Sequence, residues 1–174
     1  MTIVLRDAVG EDAPLLSRLG RDTFVETFGH LYRREDLDAF LAGHSVEAWR
    51  QILADPAFHV RLVEDDGLPA GFARVGPVSL PVETSRPAME IRQFYFARPW
   101  QGAGLAPRLI DWALGIARAK GAGHVYLSVF SENHRARRFY ERYGFRFVKP
   151  YAFMVGDQAD EDHILVLELE ENGA

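Results

Sequence analysis

Six residues, Gln101-Gly102-Ala103-Gly104-Leu105-Ala106, constrain this chain more than any others. They stand between an apolar stretch with strand character, Met89 to Phe96, and an amphipathic helical stretch, Leu105 to Lys120. Glycines at a strand-to-helix turn let the backbone come close to a ligand. The first amides of a helix have no intrahelical acceptor, and the positive end of the helix dipole lies behind them. Such a turn is a phosphate cradle, although a plain tight turn has the same sequence signature. Two known phosphate motifs do not fit. The dinucleotide fingerprint would need a glycine where Pro107 stands, and an acid about 20 residues on, where Gly121 to Gly123 lie. The P-loop would need a Gly-Lys-Ser/Thr that does not follow. Pro107 itself is tolerated in a first helical turn, where its missing N–H would have had no partner.

The 174 residues are 48% hydrophobic, enough for one domain with a full core, 1–174. No apolar run reaches the roughly 18 residues of a membrane span, and Met1 to Asp7 lacks the layout of a signal peptide. A cytoplasmic protein without a membrane partner is the expectation. With no cysteine, disulfides, thiol catalysis and thiolate metal sites are excluded. His30, His44, His59, His124, His134 and His163 show no ligand spacing, so no metal is expected. The net charge of −5 argues against a nucleic-acid partner. Its distribution says more. Arg98 to Arg146 holds nine Lys or Arg against three Asp or Glu, and the remainder holds eleven against twenty-two. An anionic ligand at the basic segment and a cationic one near the acidic remainder would fit; two solvated faces would fit as well.

The pattern predicts a strand over Thr2–Ala8 and a helix over Glu11–Gly29, with Leu15, Leu16 and Leu19 at helical spacing. Shorter helices follow over Arg34–Ala42 and Val46–Ala54. Phe58–Glu64 and Ala70–Val78 read as a hairpin turning at Asp65-Asp66-Gly67. After a Pro-bearing loop, Ser79–Arg86, come the strand Met89–Phe96, the glycine loop and its helix, which Gly121-Ala122-Gly123 stops. His124–Phe130 is the next strand. Ser131 is the expected N-cap of a helix running to Tyr143, with Gly144 as its stop. Phe145–Val155 and His163–Leu169 complete the strands. The unit Met89–Phe130 is a crossover, so its two strands should be parallel, while the other connections look like hairpins.

A second constellation runs from Asn133 to Phe145, Asn-His-Arg-Ala-Arg-Arg-Phe-Tyr-Glu-Arg-Tyr-Gly-Phe. On a helix Asn133 and Tyr140, seven apart, share a face, and Arg135, Arg138 and Arg142 lie along another stripe. Taken singly, Tyr140 reads equally as a packed core ring and the arginines as a solvated face. Together the two motifs resemble the GNAT superfamily of acyl-CoA-dependent N-acetyltransferases. Its pyrophosphate signature, Gln/Arg-x-x-Gly-x-Gly/Ala, is met by Gln101, Gly104 and Ala106. Its downstream Asn-x-x-Ala-x-x-Phe-Tyr-x-x-x-Gly-Phe is met by Asn133, Ala136, Phe139, Tyr140, Gly144 and Phe145. The resemblance spans Glu90 to Phe147. Short segments at either end, Thr23 to Gly29 and Phe153 to Asp157, are similar to the bacterial spermidine/spermine-type branch.

The resemblance implies an α/β (mixed α+β) fold, a mostly antiparallel sheet of about seven strands splayed at a parallel pair, with helices on both faces. It implies acetyl-CoA as cosubstrate. Backbone at Phe94 and Phe96 would pair with the pantetheine arm. The N–H groups of Gln101, Gly102, Ala103, Gly104, Leu105 and Ala106 would hold the pyrophosphate, Asn133 would bond the pantetheine, and Arg138 or Arg135 would reach the 3′-phosphate. Tyr140 would protonate the leaving sulfur. Glu90, eleven residues before Gln101, matches the glutamate base of some relatives; a surface carboxylate paired with Arg92 is its other reading, and a water chain ending at Glu90 or His124 is a further route. Other relatives place a glutamate where this chain has Ser128. The acceptor implied is a primary amine of a small molecule, such as a polyamine, with Glu26, Glu35, Asp36 and Glu83 as cation-binding candidates. A protein N-terminus or lysine is the alternative acceptor, and a non-catalytic acyl-CoA sensor is a third reading. Relatives of this kind are commonly homodimers. A small-amine enzyme should have a closed pocket walled near Phe24 and Phe153; a protein-modifying one should have an open groove.

Overall fold

The computed structural model describes residues 1–170. Seven strands form one sheet in the order β1-β2-β3-β4-β5-β7-β6. They are β1 (Ile3–Asp7), β2 (His59–Asp65), β3 (Leu68–Gly76), β4 (Ala88–Phe96), β5 (His124–Phe130), β6 (Arg146–Val155) and β7 (Gln158–Glu168). The helices are α1 (Ala13–Phe28), α2 (Arg34–Leu41), α3 (Val46–Ala54), α4 (Ala106–Ala119) and α5 (His134–Arg142). Only β4 and β5 pair in parallel, joined by the α4 crossover; every other neighbour is antiparallel. This is the expected mixed sheet with helices on both faces.

Alternating side chains sort the two faces. Leu62 and Phe72 meet Leu16, Leu19 and Trp49 of α1 and α3 on one side. Val63 and Ala73 meet Leu105 and Leu109 at the start of α4 on the other. Further along, Val125, Leu127 and Val129 of β5 pack beneath Ile110, Ala113 and Leu114 of α4 and Tyr140 of α5. The opposite face of β5 and β7 carries Tyr126, Ile164 and Val166.

Two expectations need correcting. The N-cap of α5 is Asn133, whose side chain accepts from the Ala136 N–H at 3.3 Å. Ser131 is buried in the preceding turn, its N–H bonded to the Glu161 carbonyl and its own carbonyl to Arg137. Strand β7 begins at Gln158, five residues before the expected His163, and pairs with β6 across the two-residue turn Gly156-Asp157. Gln158-Ala159-Asp160-Glu161-Asp162 carries too little apolar alternation to read as strand. The ladder with β6 extends it as one.

Arg6 joins the start of α1 to the sheet. Its guanidinium donates to both oxygens of Asp12 at 2.9 Å and also pairs with Glu64. These bonds hold the Asp12 carboxyl below the usual carboxylate range. Its charged form is favoured by folding, so the pair stabilises the protein above about pH 4 and stops doing so as the pH falls below that range. Asp12→Asn should lower the melting temperature by several degrees at pH 7, with a smaller gap at pH 3. Melting curves of both proteins at the two pH values check this, and an equal deficit at both would refute it.

Candidate active site

Strands β4 and β5 are bonded at only three positions, Ala88–His124, Met89–Val125 and Glu90–Tyr126. Next comes a bulge: Arg92 is left over on β4 between the pairs Arg74–Gln93 and Val75–Ile91. A bulge bends and twists its strand, and here β4 leaves β5. Between the parted strands lies a cavity of about 740 Å³, lined by Ile91 to Phe96 on one side and Leu127 to Phe130 on the other. After the bulge, Phe94 and Phe96 face α4 and α5, and Tyr95 faces α1. The cavity therefore runs through the sheet from one helical layer to the other.

On the α4 side the cavity reaches the glycine loop. Gly102 and Gly104 have φ of 77° and 79°, a region that side-chain-bearing residues rarely adopt. The loop is fixed at its two ends: Trp100 donates to Asp65 at 2.8 Å, and Leu105 is buried against β2 and β3. Among the described residues the amides of Gly102, Gly104, Leu105, Ala106 and Arg108 have no backbone acceptor. The amides of Gln101 and Ala103 are spent on Arg98 and Trp100, so the donor set is narrower than the whole loop. Gln101 instead ties its side chain to the Phe96 carbonyl at 3.1 Å. A Cβ added to Gly102 would lie 3.0 Å from the Arg135 guanidinium. Free amides, a helix N-terminus and an arginine thus converge where a phosphate group would sit.

Helix α5 supplies the rest of this side. Asn133, Arg135, Tyr140 and Arg142 line the cavity, and Arg138 does not. Of the two arginines expected to meet phosphate, Arg135 is the one that lines the cavity and stands beside Gly102. Asn133 spends its carbonyl oxygen on the cap, which leaves its amide NH2 for a ligand. Tyr140 is 7% exposed and packs edge-on to Phe94, with ring centroids 6.2 Å apart. Burial, with Tyr95 nearby, raises its hydroxyl well above the ordinary tyrosine value, so it keeps its proton.

The α1 side is aromatic and acidic. Phe24, Phe28 and Tyr32 face Phe130 of β5 and Phe153 of β6 across the cavity, with Gln93, Ser128, Asp160 and Asp162 in the floor. A clasp closes it. Tyr32 donates its hydroxyl to Asp160, the Asp157 N–H bonds Asp36 at 2.9 Å, and Gln158 reaches the Leu31 carbonyl at 3.3 Å. At the hairpin tip Gly156 has φ of 56°, and a Cβ there would lie 2.5 Å from the Asp36 Cα. The α1–α2 segment and the β6–β7 hairpin thus form a roof.

Glu90 does not line the cavity. It is neither on the surface nor free: one carboxylate oxygen accepts from the Ser79 N–H at 2.8 Å, the Ser79 hydroxyl and the Leu80 N–H. Arg92 stands 3.8 Å from the other. Glu90 pins the Ser79–Arg86 loop to β4. His124 lies at the far end of β5, paired with Thr84. Glu26 is engaged with Arg98, Asp36 is in the clasp, and Glu35 and Glu83 are exposed; none of the four lines the cavity. The carboxylates that do line it, Asp160 and Asp162, fall in the stretch whose strand character the sequence pattern conceals.

Residues 20–145 match the model of the Acetyltransferase (GNAT) family. An uncharacterised N-acetyltransferase of Lactobacillus delbrueckii subsp. lactis is 26% identical over 157 residues, covering 89% of this chain and 91% of the relative. One from Mycobacterium tuberculosis is 27% identical over 159 residues, covering 91% and 98%. Among solved structures, the PaiA N-acetyltransferase from Thermoplasma acidophilum in complex with coenzyme A superposes with a TM-score of 0.78 at 18% identity, over 97% of this chain and all of that one. The chain belongs to the GNAT acetyltransferase family. It is an N-acetyltransferase.

Gly156→Val puts a Cβ into the Asp36 backbone at a positive φ. It should lower the melting temperature by several degrees and speed amide exchange over residues 31–36. Unchanged exchange there would mean the clasp does not hold the roof.

Proposed function

We propose that this enzyme moves an acetyl group from acetyl-CoA to the primary amine of a small molecule, with residues 1–174 acting as one catalytic domain. The observation that carries the acceptor reading is the clasp: the cavity is roofed on the α1 side by Phe24, Tyr32 and Phe153 rather than open as a groove. A protein N-terminus or lysine on a folded partner would need that roof out of the way. Polyamines fall within this broad class, and Asp162 is the cavity carboxylate placed to meet one amine head.

The thioester supplies an activated acetyl group, and the protein places it. The free amides of Gly102, Gly104, Leu105 and Ala106 with Arg135 hold the pyrophosphate. The parted backbone at Phe94 and Phe96 takes the pantetheine as an added strand, with the Asn133 amide beside it. The Phe94 N–H polarises the carbonyl. Tyr140, kept protonated by its surroundings, gives its proton to the departing sulfur. Holding amine and thioester in one walled space accounts for much of the rate.

Three measurements test this. Free thiol released from acetyl-CoA over a panel of primary amines should show turnover, and none with any amine while peptides react would transfer the reading to protein substrates. Tyr140→Phe should lower kcat on the order of 10²–10⁴-fold with coenzyme A affinity unchanged. Gly104→Val should weaken coenzyme A binding by calorimetry at least about tenfold, since it must adopt a positive φ at the cradle.

A further inference from the structure

The cavity is lined by two buried polar side chains whose hydrogen bonding within the protein is incomplete. Asp162 is 6% exposed and Gln93 is 7% exposed, and both line the cavity. The Gln93 Oε1 has no hydrogen-bond partner. Asp162 sits mid-sheet, paired in register with Phe130 of β5 and Tyr151 of β6. The polar groups acting on it are the Ser128 hydroxyl of β5 and the carboxylate of Asp160 on its own strand. Tyr95 of β4 and Tyr32, ahead of α2, lie close enough for its charge to raise their own pKa values. No cation is among the groups that shift it. A buried carboxylate without a cation, and in the same cavity a buried carbonyl without a donor, are costly to the fold. Such a pair is an incomplete site whose missing part is cationic and rich in N–H.

The geometry points to Asp162 and Gln93 as the amine-head subsite, with Asp162 as the base that takes the acceptor's proton. The assignment rests on the acetylation reading above and names its acceptor as a primary amine carrying one ammonium group on an apolar or aromatic body. The step balances simply. An ammonium, R–NH3⁺, enters with its N–H groups on the Asp162 carboxylate and the Gln93 carbonyl. One N–H bond breaks and its proton moves to an Asp162 oxygen, giving neutral R–NH2 with a free lone pair and a neutral carboxylic acid. The nitrogen is then a nucleophile inside the cavity, and Asp162 later returns the proton to water.

The position also explains why Ser128 can stand where some relatives carry a glutamate. Ser128 is a hydrogen-bonding neighbour of Asp162, so the carboxylate arrives from the next strand instead. Burial lifts the Asp162 carboxyl to about 7, with Asp160 adding and Ser128 subtracting. A base of that pKa is half-ionised near neutral pH. The class of acceptor follows from the walls. Beyond the two polar groups the lining is Phe24, Phe28, Phe130 and Phe153, and Asp160 is already engaged by Tyr32 and Gln158. A second ammonium group would be desolvated against rings with no free carboxylate to meet it.

The test uses the full chain. Carboxyl ¹³C NMR without ligand should show one aspartate titrating near pH 7 that is missing from Asp162→Asn. For wild type, kcat/KM should rise with pH through about 7. In Asp162→Asn that limb should vanish and kcat/KM should drop about 10²–10³-fold, while coenzyme A affinity holds. Because the folded state holds this carboxyl protonated above its unfolded pKa, its ionisation destabilises the fold as pH rises from about 4 through 7. Asp162→Asn should therefore melt no lower than wild type at pH 8. Gln93→Met, which removes an unpartnered oxygen, should raise the amine KM about tenfold with kcat little changed. Phenethylamine and hexylamine should exceed spermidine in kcat/KM by at least about tenfold. An unaltered pH limb in Asp162→Asn overturns the base, and a preference for spermidine overturns the substrate class. Either result leaves acetylation standing; absence of turnover with every amine defeats acetylation and this assignment with it.

Discussion

Strands β4 and β5 stop pairing after Glu90 and Tyr126, and the whole site is arranged around that opening. A parallel pair is normally buried and fully bonded. Here the bulge at Arg92 turns β4 away while β5 stays bonded to β7 on its other side. Backbone donors and acceptors on the inner edges of both strands are left facing a cavity rather than each other. Unpaired backbone in a buried place needs a partner, and an extended arm that can bond both edges suits it. Glu90 supports the opening from outside: by gripping Ser79 and Leu80 it holds the last bonded pair in place.

The opening passes through the sheet, and its two ends have different chemistry. Toward α4 and α5 lie free amides, a helix N-terminus and Arg135, all suited to negative charge. Toward α1 and α2 lie aromatic rings and carboxylates, suited to an ammonium group with an apolar body. Tyr140 stands between, buried enough to stay protonated. Arg135 and Arg142 of the basic segment line the cavity, and so do Asp160 and Asp162 of the acidic remainder.

The roof over the α1 end is held by polar contacts together with an apolar cluster built on Phe24, Leu41 and Val155. Tyr32–Asp160, Asp157–Asp36 and Gln158–Leu31 all join two segments more than a hundred residues apart in the chain. Phe24, Phe40 and Phe153 stack beneath them, with the Phe24 and Phe40 rings 4.4 Å apart. A roof of this kind separates the reacting groups from water.

The sequence by itself determined whatever depends on local pattern. The glycine loop, the α4 amphipathic face, the Asn133-to-Phe145 helix and the parallel crossover are short-range features, written in spacing and turn chemistry. So was the seven-stranded sheet, because most of its strands carry their own apolar alternation. Tertiary structure decided the rest. Glu90 looked like a base because its place along the chain was right, but the Ser79 loop folds back onto it and removes it from the cavity. Arg135 rather than Arg138 reaches the glycine loop because it lies in the first turn of α5, beside Gly102, with Arg138 about one turn further along. Asp162 was invisible in the run Gln-Ala-Asp-Glu-Asp, whose polarity resembles a loop. Pairing with β6 along its length, and with β5 at Asp162, makes that run a strand, and alternation along it then turns Asp160 and Asp162 toward the cavity. Which polar residues are buried depends on what lies across from them, and a single strand cannot encode its neighbours.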